Sequence, residues 1–411
     1  MLPEKKRLIP SEQGRVEMDC LSLLPVETWR QIFCSAVEPI PQFGRVLEID
    51  PSVSFRARRP WPRKLLKQSL ETRLALCLVC KAIRPIAEGL LYELLVVRRY
   101  GSLEGLIHTL TLKRPNHGFS LGSLVRTIFL VDFGYATPTN PATESLVTQL
   151  FRICPNLSIC TFSGINSSIP GPWTNILWAL PSTTYSLCWT NAEWFVVSAL
   201  QYMPCLAQLQ HLSFELVLAD DIHVAPLQLP RLKSLMFSTP LEVAMECWDM
   251  PSLVWVEVVV NSVDGLEMLS PFFQRYGRAL EFLQLTTKHF TPTIPPSIFD
   301  NCTNLTTFSF DPLSFLMFDS IPKMRQDKLH TLVLSMGGGY IYGEIISSSD
   351  QLAEVEVTMQ YLGRGLKGLE VVHLTLMEEW PPTFASEVLK IVSVAFPTCR
   401  LVVLENPMLI G

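Results

Sequence analysis

Charge is scarce in this 411-residue chain: Asp, Glu, Lys and Arg make up 17% of it, against roughly a quarter in an ordinary globular protein. The net charge of −5 leaves no broad basic footprint, so neither nucleic acid nor an anionic membrane is expected as a partner. No uncharged apolar run is long enough to span a bilayer. The opening residues, polar and broken by prolines, lack the apolar centre of a secretory signal, so a cytoplasmic or nuclear address is expected.

Recognisable catalytic constellations are missing too. There is no Walker-type phosphate loop, no GxGxxG behind a strand, no GxSxG and no HExxH. The run Gly337-Gly338-Gly339 has neither the lysine nor the helix that phosphate cradling requires. Among seven histidines, His211, His330 and His373 fall in strand-like patterns, and none is paired at metal-ligand spacing. The eleven cysteines are odd in number and mostly sit in apolar segments, which suits small core hydrophobes rather than a disulfide framework. Cys77-Leu-Val-Cys80 has no second pair to complete a zinc site. No catalytic residue, metal or cofactor is therefore expected.

What the chain does have begins at Leu23 to Phe33. Pro25 suits the start of a helix, where its missing N–H costs nothing. Val26, Trp29, Ile32 and Phe33 then make one apolar stripe opposite Glu27, Arg30 and Gln31. So short a helix needs something to dock on. Residues 1–20 read as a disordered tail. Residues 38–72 lose periodicity, are broken by five prolines from Pro39 to Pro62, and carry the basic run Arg56 to Lys67; a solvated loop is expected. Helical spacing resumes at Leu74, and Pro85 divides it into two expected helices, 72–83 and 85–95, that share an apolar face with the first.

These residues resemble the F-box motif. The matching positions are Leu24-Pro25 with Glu27, Ile32-Phe33, Leu76, Val79-Cys80-Lys81 and the Arg84 to Leu91 helix with Tyr92-Glu93. Two departures stand out: the insert at 38–72, and Ile83 where the family commonly has tryptophan.

From about residue 121 the texture becomes repetitive. The pattern apolar-x-x-apolar-x-apolar recurs as Val125/Ile128/Leu130, Leu157/Cys160/Phe162, Thr184/Leu187/Trp189, Leu209/Leu212/Phe214, Leu232/Leu235/Phe237 and Leu253/Val256/Val258. It continues as Leu280/Leu283/Leu285, Leu305/Phe308/Phe310, Leu329/Leu332/Leu334, Leu352/Val355/Val357, Val371/Leu374/Leu376 and Cys399/Val402/Leu404. A spacing of roughly 25 residues is the leucine-rich-repeat period, one strand and one return per turn. Several strands are announced by a proline phrase, as in Cys154-Pro-Asn-Leu157 and Met250-Pro-Ser-Leu253. The expected fold is α/β: a small helical F-box over 21–100, then a leucine-rich-repeat solenoid of about twelve repeats over 101–411, a curved parallel sheet with helical or irregular returns.

Residues flanking the repeated apolar positions face away from the core and are expected to line the concave side. Candidate partner-binding residues there are His211, Glu215, Trp255, Glu257, Phe282, Glu354 and Glu356, with Met236, Gln284 and His373 beside them. The mixture is mildly acidic with two aromatic anchors, as at a protein-binding surface.

The F-box resemblance implies a non-catalytic substrate receptor of an SCF-type cullin ubiquitin ligase. Its helices would dock on a Skp-type adaptor, and through it a cullin, while its repeats hold a protein substrate. By position, Leu24, Pro25, Ile32, Phe33, Leu76, Val79 and Ile83 are the implied adaptor contacts or their immediate support. The layout resembles F-box proteins of filamentous and mushroom-forming fungi. The alternative is a leucine-rich-repeat scaffold whose helical N-terminus caps the solenoid, with no ubiquitin role.

Overall fold

A computed structural model of the chain describes residues 25–37, 63–79, 84–98, 100–113, 120–131, 141–163, 173–190, 197–214, 226–239, 247–287, 292–312, 328–335, 349–366, 368–376 and 382–405. Three helices come first: α1 (Val26–Val37), α2 (Arg63–Val79) and α3 (Arg84–Glu93). Strands and returns then alternate: β1 (Leu94–Val97), α4 (Leu103–Thr111), β2 (Thr127–Val131), α5 (Pro141–Ile153), β3 (Ile159–Ser163), α6 (Trp173–Trp178), β4 (Ser186–Thr190), β5 (His211–Phe214), β6 (Ser234–Ser238) and β7 (Trp255–Val260). The series ends with α7 (Ser270–Tyr276), β8 (Phe282–Thr287), α8 (Pro296–Asn301), β9 (Thr307–Phe310), β10 (Thr331–Ser335), α9 (Ser349–Gly365), β11 (Val371–Leu376), α10 (Pro382–Ala395) and β12 (Arg400–Glu405).

The strands form one 12-stranded sheet in simple sequence order, every neighbour parallel. This is a mixed α/β, solenoid-like architecture built around a parallel sheet. Its physical basis is the period-two alternation of each strand. Ile128 and Leu130, Leu187 and Trp189, Val256 and Val258, Phe308 and Phe310 all point into one continuous core with the returns. The residue three positions earlier, such as Val125, Leu157, Leu232 or Leu280, is buried as well, so each repeat drives three side chains inward.

Two backbone devices repeat the geometry. The chain turns into a strand through an i to i+3 hydrogen bond, for example Leu157 N–H to Cys154 O at 3.1 Å and Leu253 N–H to Met250 O at 3.2 Å, with proline at the second position of both. At the corner that follows, one carbonyl accepts two amides of the next repeat. Lys233 O takes Val254 N–H and Trp255 N–H, each at 3.0 Å, and Val254 O takes Glu281 N–H at 2.9 Å and Phe282 N–H at 3.1 Å. The same fork recurs at Arg126, Ser158, Tyr185, Gln210, Glu281, Thr306 and His330.

Four expectations need correction. Helix α2 starts at Arg63, inside the stretch expected to be irregular to residue 72; residues 38–62 of that stretch lie outside the described residues. Its inward stripe is Ser69, Arg73 and Cys77, polar enough to hide from an apolar-periodicity search. Helix α3 ends at Glu93 rather than 95, and Leu94–Val97 is already the first strand of the sheet. The Leu352/Val355/Val357 unit is part of helix α9: a spacing of three suits a helix face as well as a strand, and Val357, five residues on from Leu352, is turned out to solvent there.

The last two repeats are displaced from their expected triads, by two residues in β11 and by one in β12. Leu369, Val372 and Leu374 face the core, leaving Val371 on the opposite face; in β12 the core side belongs to Leu401 and Val403, not Val402. In β12 apolar residues occupy both faces, and a one-residue shift of phase exchanges them, whereas in β11 the triad is displaced by two residues and Leu374 keeps its expected face.

Candidate functional site

Two surfaces qualify: the outer side of the three-helix unit and the face of the sheet opposite the core. In the helical unit the inward residues are few. Phe33 of α1 and Leu90 of α3 are buried, with Trp29, Cys34, Leu76 and Ile86 packed against them; the Trp29 and Phe33 rings lie 5.7 Å apart. Polar bonds complete the joint. Ser69 Oγ donates to Val37 O at 3.0 Å, and Arg73 donates from Nε to Ser69 Oγ at 3.3 Å and from Nη1 to Leu90 O. Burial pulls the Arg73 guanidinium below its ordinary pKa, opposed by the nearby Glu93 carboxylate.

The outer side of the same helices carries exposed apolar residues among charged ones such as Glu27, Arg30 and Glu71. Val26 is 60% exposed, Ile32 44%, Leu74 52%, Leu78 77% and Val79 66%. Leu74 and Leu78 belong to the helical spacing expected to form the apolar face that the three helices share, and the structure turns them out, because the Ser69/Arg73/Cys77 stripe takes the inner side. Of the expected adaptor residues, Pro25, Ile32 and Val79 are exposed; Phe33 is buried and Leu76 packs beside it, so these two support the unit from within. Leu24 and Ile83 lie outside the described residues. The sequence reading missed Leu78 as a surface residue and Arg73 as an internal strut. An i, i+4 Leu74/Leu78 pair offset from a Ser/Arg/Cys stripe is the signal that could have separated the two faces.

On the sheet, register aligns Thr161, Cys188, Ser213, Met236, Glu257, Gln284, Ser309, Val333 and His373 in one row across β3 to β11. A second row carries Ser186, His211, Ser234, Trp255, Phe282 and Thr307. The candidates His211, Trp255, Glu257 and Phe282 therefore do occupy the face away from the core, as the spacing predicts. They are not open, however: Trp255 and Phe282 are buried, Glu257 is fully enclosed, and His211 is 8% exposed with its ring edge-on to Tyr185. In-register residues on adjacent strands lie about 5 Å apart, so large rings stack on one another instead of standing free. Glu354 and Glu356 are corrected outright, since they are exposed on helix α9 and not on the sheet; Glu215 lies outside the described residues. Among the described residues the face is more open at both ends of the sheet: Val96, Thr127 and Val131 are half-buried on the first strands, and on the last ones His373 and Thr375 are half-buried and Arg400 is exposed.

Among the described residues no group of His, Cys, Asp or Glu is arranged to hold a metal ion, and no helix is long and apolar enough to cross a membrane. No family model matches the chain, and no curated protein matches it. Among solved structures it is similar to a Bacteroides fragilis protein from a structural-genomics programme, 12% identical over 74% of this chain and 71% of that one, with a TM-score of 0.33. A likeness this distant carries no functional argument.

Proposed function

We propose that the protein is a substrate receptor of an SCF-type cullin ubiquitin ligase, with its N-terminal helices as an F-box that binds a Skp-type adaptor and its solenoid as leucine-rich repeats that hold a protein substrate. The observation that carries this reading is the exposed apolar set Val26, Ile32, Leu74, Leu78 and Val79, on helices whose opposite sides are already satisfied internally. A helical cap serving only the solenoid would turn such residues onto the first strands. Here the contacts with the first strands come from Leu70, against Leu94 and Phe129, and from Tyr92, against the main core.

Such a receptor acts by proximity: it fixes a substrate lysine near a ubiquitin-charged enzyme and contributes no reacting group. In this reading substrate contacts fall where the non-core face opens on its last strands, at His373, Thr375 and Arg400, while Trp255 and Phe282 frame the sheet from within.

Coexpression with a Skp-type adaptor tests the proposal. A stoichiometric complex is expected, lost in an Ile32→Asp, Leu78→Asp double variant that keeps its circular dichroism spectrum. Failure of the intact chain to form the complex would overturn the reading in favour of a scaffold.

A further inference from the structure

Helix α3 ends at Glu93 and β1 begins at Leu94, with no residue between them. A helix that passes straight into a strand has no turn with which to cap its last carbonyls, and those orphan acceptors need partners from elsewhere. Arg73 supplies one, from the middle of α2, by donating Nη1 to Leu90 O. The guanidinium is a fixed planar fork, so a second nitrogen is committed in a set direction, and Nε meets Ser69 Oγ, which itself donates to the carbonyl of Val37 at the end of α1. One buried side chain thus joins the ends of α1 and α3 to α2. One turn away along α2, Leu70 rests on Leu94 and Phe129 of the first two strands.

We propose that Arg73 is the lock that holds the three-helix unit at one fixed angle to the sheet. The cation sits at the negative end of the α3 dipole, where its charge is favoured, and the Glu93 carboxylate acts on it from the residue at which helix becomes strand. Without the lock the helices keep the Phe33 and Leu90 packing, but α2 is tied to the α3–β1 junction only through apolar contact, which has no direction. The inference rests on geometry alone and holds whether or not the helices bind an adaptor.

Single-molecule energy transfer between dyes attached to unnatural residues at Gln31 on α1 and Gln274 on α7 tests it in the full-length chain. The native protein is expected to give one narrow distance distribution. Arg73→Met, which keeps about the same volume and removes the fork, is expected to widen it about twofold with helix content retained, and Arg73→Lys, which keeps the charge on a compact ammonium without the planar fork, to fall between. Should Arg73→Met not fold, Ser69→Ala breaks the branch to Val37 while keeping the cation, and a smaller widening is expected. A native-width distribution in a folded Arg73→Met or Ser69→Ala protein would overturn the lock. Adaptor capture is a separate readout: its absence in the intact chain sinks the ligase reading and leaves this one standing.

Discussion

The indole of Trp255 and the ring of Phe282 lie stacked at 4.9 Å between centroids, 23° from parallel, on strands β7 and β8 and on the side of the sheet away from the core. With Cys188, Met236 and Val259 they form a second, smaller apolar cluster. Trp255→Ala is therefore expected to cost about 3 kcal/mol, in the range for emptying a buried aromatic site, where an open contact residue would cost less than about 0.5 kcal/mol. Urea unfolding followed by circular dichroism checks this; an unchanged midpoint would mean the pair is dispensable to the fold.

Thiol ionisation links stability to pH. Burial pushes Cys154, Cys205 and Cys302 up to about 12 from the ordinary 9.0, and raises Cys160 as well. A folded-state pKa above the unfolded one means that the folded chain keeps a proton the unfolded chain gives up. The stabilisation is complete below pH 9 and drains away as pH rises toward 12, at up to about 1.4 kcal/mol per pH unit for each thiol. Urea midpoints are expected to fall steeply between pH 9 and 10.5, and Cys302→Ala to make that fall shallower, whatever its effect at pH 7.

The same burial sets reactivity. Among the described cysteines Cys247 is exposed, whereas Cys77, Cys154, Cys160, Cys188, Cys205 and Cys302 are buried. At pH 8 a thiol reagent is expected to label Cys247 far faster than these six, which should become reactive only as the elements that bury them unfold. Mass mapping of the labelled sites that found Cys154 or Cys302 modified early would contradict the packing described.

Two glycines should respond in opposite directions. A Cβ on Gly363 of α9 would overlap the carbonyl oxygen of Ala395 in α10, whereas one on Gly89 of α3 meets nothing within 4 Å. Gly363→Ala is expected to destabilise by about 1–3 kcal/mol through overpacking. Gly89→Ala should stabilise by about 0.5–1 kcal/mol by reducing the freedom of the unfolded helix segment. Thermal or urea denaturation of the two variants decides both.

Most of the sheet was legible because its strands repeat a pattern of three inward residues with little ambiguity: Leu209, Leu212 and Phe214 can be read only one way. Where both faces are apolar, as in Arg400–Glu405, the alternation that fixes phase is missing and the expected triad lies one residue off. Strand β1 was overlooked because Leu94 to Val97 follows a helix with no turn residue to mark the change. The outer helical surface was half legible. Ile32 and Val79 could be placed by resemblance, but that Leu78 lies outside and Arg73 inside depends on how α2 rotates against its neighbours, which hydrophobicity alone does not encode. Likewise spacing assigned Trp255 and Phe282 to the correct face, and it is silent on how enclosed that face is.

The forked carbonyls at the strand corners also govern how the molecule comes apart. Each fork ties one repeat only to the next, so the sheet behaves as a row of nearest-neighbour couplings, and the repeat lost first should be the one with a neighbour on a single side. At β12 the core-side Val403 is 47% exposed, while its partner in register, Leu374, is fully buried. The solenoid should therefore open like a zip from its last strand, and hydrogen exchange should fall progressively from β12 back toward the aromatic layers around Phe237 and Phe308.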